Sequence, residues 1–246
     1  MSIQTSISRD QLLAGLPIIM ADGTCIVHPA KLYDIAKMGV QKFYRQLNFL
    51  TLTREEITIL FKDEKATPFM FVLTNCSMKE DFKKEFCESL QFFTKEKVEF
   101  LPQLEAFLIG NFEDMRLINA ENYEDFQNII RQQHSLSVVE EKTKENSSAK
   151  RIKARLKQAK EKVSKIKKED SNIEFSDLVG SLPLGNIGLN IINVWELSYY
   201  AFNDQFKRMR IYQEYTVSLQ SLMAGADPKK VNLKDWIQNI QINKNP

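Results

Sequence analysis

The sequence predicts an α+β protein that is mainly helical: an N-terminal domain with a small β-hairpin and sheet, a basic helical linker, and a small helical C-terminal domain. Three observations predict it. Apolar residues recur at spacings of three and four along most of the chain. Short apolar runs flank turn dipeptides in the first half. Charge is spread unevenly: residues 1–145 hold 17 basic and 22 acidic residues, 146–172 hold 10 and 3, and 173–246 hold 7 of each. Such asymmetry separates parts with different jobs. The boundaries drawn from it are 1–134, 135–172 and 173–246.

The elements follow in order. Leu16–Met20 and Cys25–Val27 flank Asp22-Gly23, which accepts the positive φ of a tight turn, so a hairpin is expected there. His28-Pro29 breaks the strand. Leu32, Ile35 and Ala36 begin a helix that Gly39 stops, and Val40, Phe43, Tyr44 and Leu47 carry a second. A third begins after Thr53, with Glu55 and Glu56 near the positive end of its dipole. Ser77-Met78-Lys79-Glu80 fits a capping box ahead of the stripe Phe82, Phe86, Leu90, Phe93. Val98–Leu101 and Ala106–Ile109 read as strands joined through Pro102, and Met115–Ile118 as a third beyond the Gly110-Asn111 turn. Asn119 is placed to cap a helix through Tyr123, Phe126, Ile129 and Ile130.

Residues 139–148 read as loose. From 149 to 168, Ile152, Leu156, Ala159, Val163 and Ile166 form about two heptads on an otherwise basic helix that includes Lys150, Arg151, Lys153, Arg155 and Lys157. Residues 173–190, with Pro183, Gly185 and Gly188, read as a loop or short helices. Asn193 or Ser198 then caps a long helix that runs towards Ala224 and ends at Gly225. Asn232 would cap a last short helix carrying Leu233, Trp236, Ile237 and Ile240.

The residues argue against catalysis. His28 and His134 are the only histidines, and neither has a neighbour at metal-ligand spacing. Phosphate-binding glycine loops and a Gly-x-Ser-x-Gly elbow are absent. Glu55-Glu56, Glu113-Asp114 and Glu140-Glu141 are adjacent pairs, which do not face one another on a helix. No cofactor or metal is implied. Cys25, Cys76 and Cys87 fit neither a disulfide framework nor a zinc site and read as reduced thiols. The N-terminus lacks a signal-peptide pattern, and no apolar run approaches the ~20 residues of a membrane span. A soluble cytoplasmic protein is expected.

Two features point to binding. The basic helix suits a linker or partner helix. Nucleic acid is a weaker alternative, because the segment has no aromatic residue to stack on bases, and membrane is weaker still. Trp195, Tyr199, Phe202 and Phe206 make one face of the C-terminal helix, while Tyr200 and Tyr215 fall elsewhere. A helix apolar on more than one side must be covered on more than one side. A C-terminal part this short argues for docking on the N-terminal domain or on a partner. Trp195, Tyr199, Phe202, Phe206 and Trp236 are the expected partner surface or its support.

The block Asn193-Val-Trp-Glu-Leu-Ser-Tyr-Tyr-Ala-Phe-Asn-Asp-Gln-Phe, then Leu222-Met-Ala-Gly-Ala-Asp and Trp236, resembles the C-terminal region of proteins from tailed phages of Gram-positive bacteria. Ile118-Asn-Ala-Glu-Asn-Tyr-Glu-Asp-Phe and the basic helix share in the likeness. It is greatest to tail assembly chaperones. The resemblance implies work in the host cytoplasm and self-association in many copies. The N-terminal domain would coat the helical tape-measure protein, and the C-terminal domain would recruit the tail-tube subunit. The alternatives are a virion structural protein of tail or baseplate, or a nucleic-acid binder acting through the basic helix. In such families a programmed frameshift can join the two parts, and the composition break at 135–172 is where that junction would fall. Expression from the native gene should then yield a shorter N-terminal product beside the full chain; an immunoblot with only one band would count against the junction.

Overall fold

The computed structural model describes residues 4–61, 66–136, 173–185, 188–227, 231, 233 and 235–237. It is mainly helical with two small antiparallel sheets, as the sequence predicts. Helix α1 (Arg9–Leu13) opens on a reciprocal box between Ser8 and Gln11. Strands β1 (Ile18–Ile19) and β2 (Ile26–Val27) form the expected hairpin, with Ile18 opposite Val27. In its loop the Asp22 carboxylate accepts the Thr24 N–H at 2.9 Å and the Thr24 hydroxyl at 2.6 Å, and Gly23 takes φ +73°. Ile18 and Val27 point into the core and Ile19 and Ile26 into solvent, the period-2 pattern of a strand.

Helix α2 (Leu32–Met38) stops at Gly39, whose φ of +93° suits a residue without Cβ, and α3 (Val40–Leu50) begins on the same glycine. Helix α4 (Arg54–Phe61) starts after Thr53, where Thr53 and Glu56 cap one another at 2.8 and 3.1 Å.

The Ser77 capping box does not form. A helix the sequence reading missed, α5 (Pro68–Met78), is capped by Thr67 with Pro68 in its first turn, and it runs straight through Ser77. Its buried residues Phe69, Val72 and Cys76 lie on one stripe, and packing of that stripe carries the helix past the serine. The extended residue Lys79 breaks the path, and α6 (Glu80–Thr94) follows without a side-chain cap. It buries Phe86, Leu90 and Phe93 as expected.

Strands β3 (Val98–Leu101), β4 (Ala106–Ile109) and β5 (Arg116–Ile118) form an antiparallel meander with β4 at its centre. Every residue of β4 is buried. Helix α7 (Tyr123–Gln133) starts later than an Asn119 cap would place it. Asn119 and Asn122 instead lock the preceding turn: Asn122 Oδ1 accepts the Asn119 N–H and Asn119 Oδ1 accepts the Glu121 N–H, both at 2.9 Å.

The segment after residue 172 contributes α8 (Phe175–Gly185), a 3₁₀ turn (Asn193–Glu196) and α9 (Tyr199–Met223). Ser198, not Asn193, caps α9 through the Ala201 N–H, and Gly225 follows its end at φ +91°. Among its described residues this segment closes no core of its own. Val179, Leu182, Val194 and Phe202 join the same apolar cluster as Phe43, Phe93 and Ile130. The backbone seals the joint: Tyr199 N–H donates to Ala30 O at 2.8 Å, and Leu32 N–H to Leu197 O at 3.0 Å. Docking on the N-terminal elements, one of the two expected ways to cover the aromatic helix, is therefore realised. The proposed basic helix at 149–168, the loose stretch before it and the Asn232 cap lie outside the described residues.

Asp204 of α9 is 1% exposed and bonds Arg9 of α1 and Arg208, each at 2.7 Å. Asp204→Ala should destabilise the chain by roughly 2 kcal/mol, less than the ~3–5 for a wholly buried pair, since both guanidiniums reach water. Urea denaturation at neutral pH measures it.

Candidate functional site

Four of the five aromatic residues singled out in the sequence serve the joint between the two halves of the chain. Phe202 is 3% exposed and lies between Phe175, at 5.9 Å between ring centroids, and Phe206 at 6.1 Å. Tyr199 packs on His134 at 5.3 Å and on Phe43 at 6.0 Å, and its hydroxyl meets that of Tyr44 at 3.2 Å. Trp195 and Phe206 are half-buried against the same core. Trp236 differs: it is 45% exposed and rests edge-on against Tyr212 at 5.7 Å. Lys150, Arg151, Lys153, Arg155 and Lys157 lie outside the described residues.

The exposed apolar surface begins where those aromatics end. Helix α9 is roughly 37 Å long at 1.5 Å per residue. Beyond Asp204 none of its residues is buried. Yet Ile211, Tyr212, Tyr215, Leu219, Leu222 and Met223 fall within about 120° of arc at 100° per residue. Tyr212, Tyr215, Leu219 and Leu222 are spaced 3, 4, 3, as in a coiled-coil seam. Tyr212 and Met223 stand well into solvent, Leu219 is exposed, and the other three are half-buried. Glu214 is the one charged residue between Arg210 and Asp227. The spacing is readable in the sequence, but it is a weaker signal than the denser aromatic cluster upstream.

A second apolar tip lies at the turn after α8. Leu184 and Ile192 are 90% and 81% exposed, with Ile191 beside them. Asn190 and Asn193 fix the turn: Asn193 Oδ1 accepts the Asn190 N–H at 2.7 Å, and Asn190 Oδ1 accepts the Ile192 and Asn193 N–H groups at 2.9 Å. No charged residue occurs from 178 to 195. Both surfaces are suited to apolar contact with another macromolecule.

The ionisable groups are tied into the structure. Asp22 and Asp125 flank a polar cleft of about 890 Å³ beside the hairpin. Asp22 is held by Thr24 and Asn122, and Asp125 by Thr5 and the Ala21 N–H. Burial pushes the thiols of Cys25 and Cys76 up to about 12 and that of Cys87 to about 11, the opposite of activation. Among the described residues no group of three or more His, Cys, Asp or Glu could hold a metal ion. No helix among them is long and apolar enough to cross a membrane.

A family described as the YomV second domain matches residues 165–241, which take in α8, α9 and Trp236. YomV is a Bacillus phage-encoded protein, and this part of the chain is similar to its second domain. No curated protein and no solved structure matches the chain.

His134 sits at the joint, 2% exposed, between Phe43, Phe93 and Tyr199. Its Nδ1 donates to Ile130 O at 2.7 Å, and burial lowers its pKa to about 4. The folded state therefore favours the neutral ring. That stability is present above the unfolded value of ~6.5 and is lost as pH falls towards 4. Between pH 7 and 5 the loss should be about 2 kcal/mol, and His134→Leu should flatten that part of the profile relative to wild type. Denaturant titrations at the two pH values give the difference.

Proposed function

We propose that this chain is a non-catalytic phage tail assembly chaperone of the host cytoplasm, which holds other tail proteins during virion assembly. The observation that carries the reading is the apolar stripe on the outer half of α9. A protein that releases what it holds must cover apolar surface reversibly, and a helix face with a 3-4-3 seam can take an amphipathic helix without a preformed pocket. The N-terminal elements would lie against the tape-measure protein, and the α9 stripe with Trp236 would recruit the tail-tube subunit. Support comes from the resemblance of the aromatic block to tail assembly chaperones and from the phage family matched over the same residues.

A purified-particle experiment separates this from a virion structural role. A chaperone should be absent from finished particles, whereas a tail or baseplate component should be present in fixed copy number.

The surface itself is tested by co-expression with the neighbouring genes, affinity capture and mass spectrometry. Leu219→Asp with Met223→Asp should lose the captured tail protein and leave the melting temperature nearly unchanged, since exposed sites tolerate substitution within about 0.5 kcal/mol. Phe202→Ala, by contrast, should destabilise by about 3–5 kcal/mol through the core. Undiminished capture by the double variant would sink the assignment of this face.

A further inference from the structure

A cleft of about 430 Å³ opens between α3 and α6; it is wide open to solvent, and its walls and floor are mostly apolar. Gln46 of α3 forms part of that floor. It is 1% exposed, and among the described residues neither its Oε1 nor its Nε2 has a hydrogen-bond partner. A buried primary amide with both ends unpaired is costly, because each lost water contact goes unreplaced. Gln127 and Gln133, also buried, each spend an amide nitrogen on a backbone carbonyl, of Leu50 and Val27 respectively. Gln46 has no such outlet.

The walls select what could complete it. Met38 and Phe92 supply apolar sides. The rim charges are already matched: Lys42 meets Glu88 at 2.9 Å, and Lys95 reaches Asp34 at 3.6 Å. Lys95 also lies over the Phe92 ring, 4.4 Å from its centroid. A neutral rim gives no purchase to a phosphate or a carboxylate, and the covered ring face disfavours stacking by a base. What remains is a neutral group offering one donor and one acceptor side by side. A residue in extended conformation does this with its own N–H and C=O, as each residue of a hydrogen-bonded antiparallel pair does.

We propose that the α3–α6 cleft binds an extended peptide segment of a protein partner, with the Gln46 amide bonding the N–H and C=O of one residue and an apolar side chain lodged between Met38 and Phe92. The site is separate from the α9 stripe and stands or falls independently of it.

The test is a titration of the full ¹⁵N-labelled chain with acetyl-Ala-Leu-Ala-N-methylamide at millimolar concentration, followed by NMR. The Gln46 side-chain amide resonances and those of the Phe92 neighbourhood should shift and saturate. Gln46→Met should abolish the shifts around Phe92 and raise the melting temperature, since a thioether of similar length needs no partner. No response at Gln46, or the same Phe92 response in the Gln46→Met variant, would overturn the proposal. So would a larger response to adenosine, which would mark a base-edge reader. Protection of the Gln46 amide in the free chain would do so too, since a segment of this chain would then already fill the cleft.

Discussion

Much of the architecture depends on one debt: the C-terminal segment has more apolar surface than it can bury alone. Helix α9 buries its first turns through Tyr200, Ala201 and Phe202, and the cover comes from the other half of the chain. His134, Phe43 and Tyr199 meet around one point where α7, α3 and α9 converge. The Lys31–Ser198 bridge and the Arg9–Asp204 pair fix the register of that meeting. Aromatic rings supply large buried area at low entropic cost, so a few of them suffice to hold the two parts.

The same debt explains the split personality of α9. Its near half is an internal wall and its far half a surface, within a single uninterrupted helix. Rigidity follows, since a stripe built on a helix anchored at one end is presented without having to order itself first. The Asn190–Asn193 turn does the same for Ile191 and Ile192 on a smaller scale. The α3–α6 cleft is different in kind. It offers a hydrogen-bonding pattern where the α9 stripe offers area, so the two would select different partners or different parts of one partner.

Local chemistry was legible in the sequence. Asp22-Gly23, Gly39, the helix start after Thr53, the Pro102 and Gly110 turns, Ser198 as one of two candidate caps, and Gly225 each act within a few residues, and each appears where its side chain or missing Cβ dictates. Helix α5 was not legible, because Pro-Phe-Met-Phe-Val-Leu is apolar at every position and shows no helical period. Ser77 misled for a related reason: a cap worth about 1 kcal/mol loses to three buried side chains on the helix that crosses it. At the candidate site, aromatic density signalled the core, and the exposed stripe carried the weaker signal. Gln46 gave no signal at all. An unpaired amide is a property of its surroundings, and only the folded chain supplies those.

The joint at Ala30–Leu32 and Leu197–Tyr199 links residues far apart in synthesis. A ribosome that has released residue 134 has made every N-terminal element, yet none of the lid that Tyr199 and Phe202 provide. Until the rest emerges, Phe43 and His134 lack the cover of Tyr199. Any product that stopped there permanently would keep that face bare, a sticky patch that the full-length chain keeps for itself, and a dye that fluoresces on apolar surfaces would tell the two forms apart. Two proteins with opposite appetites would then be written in one stretch of coding sequence, divided only by where translation ends.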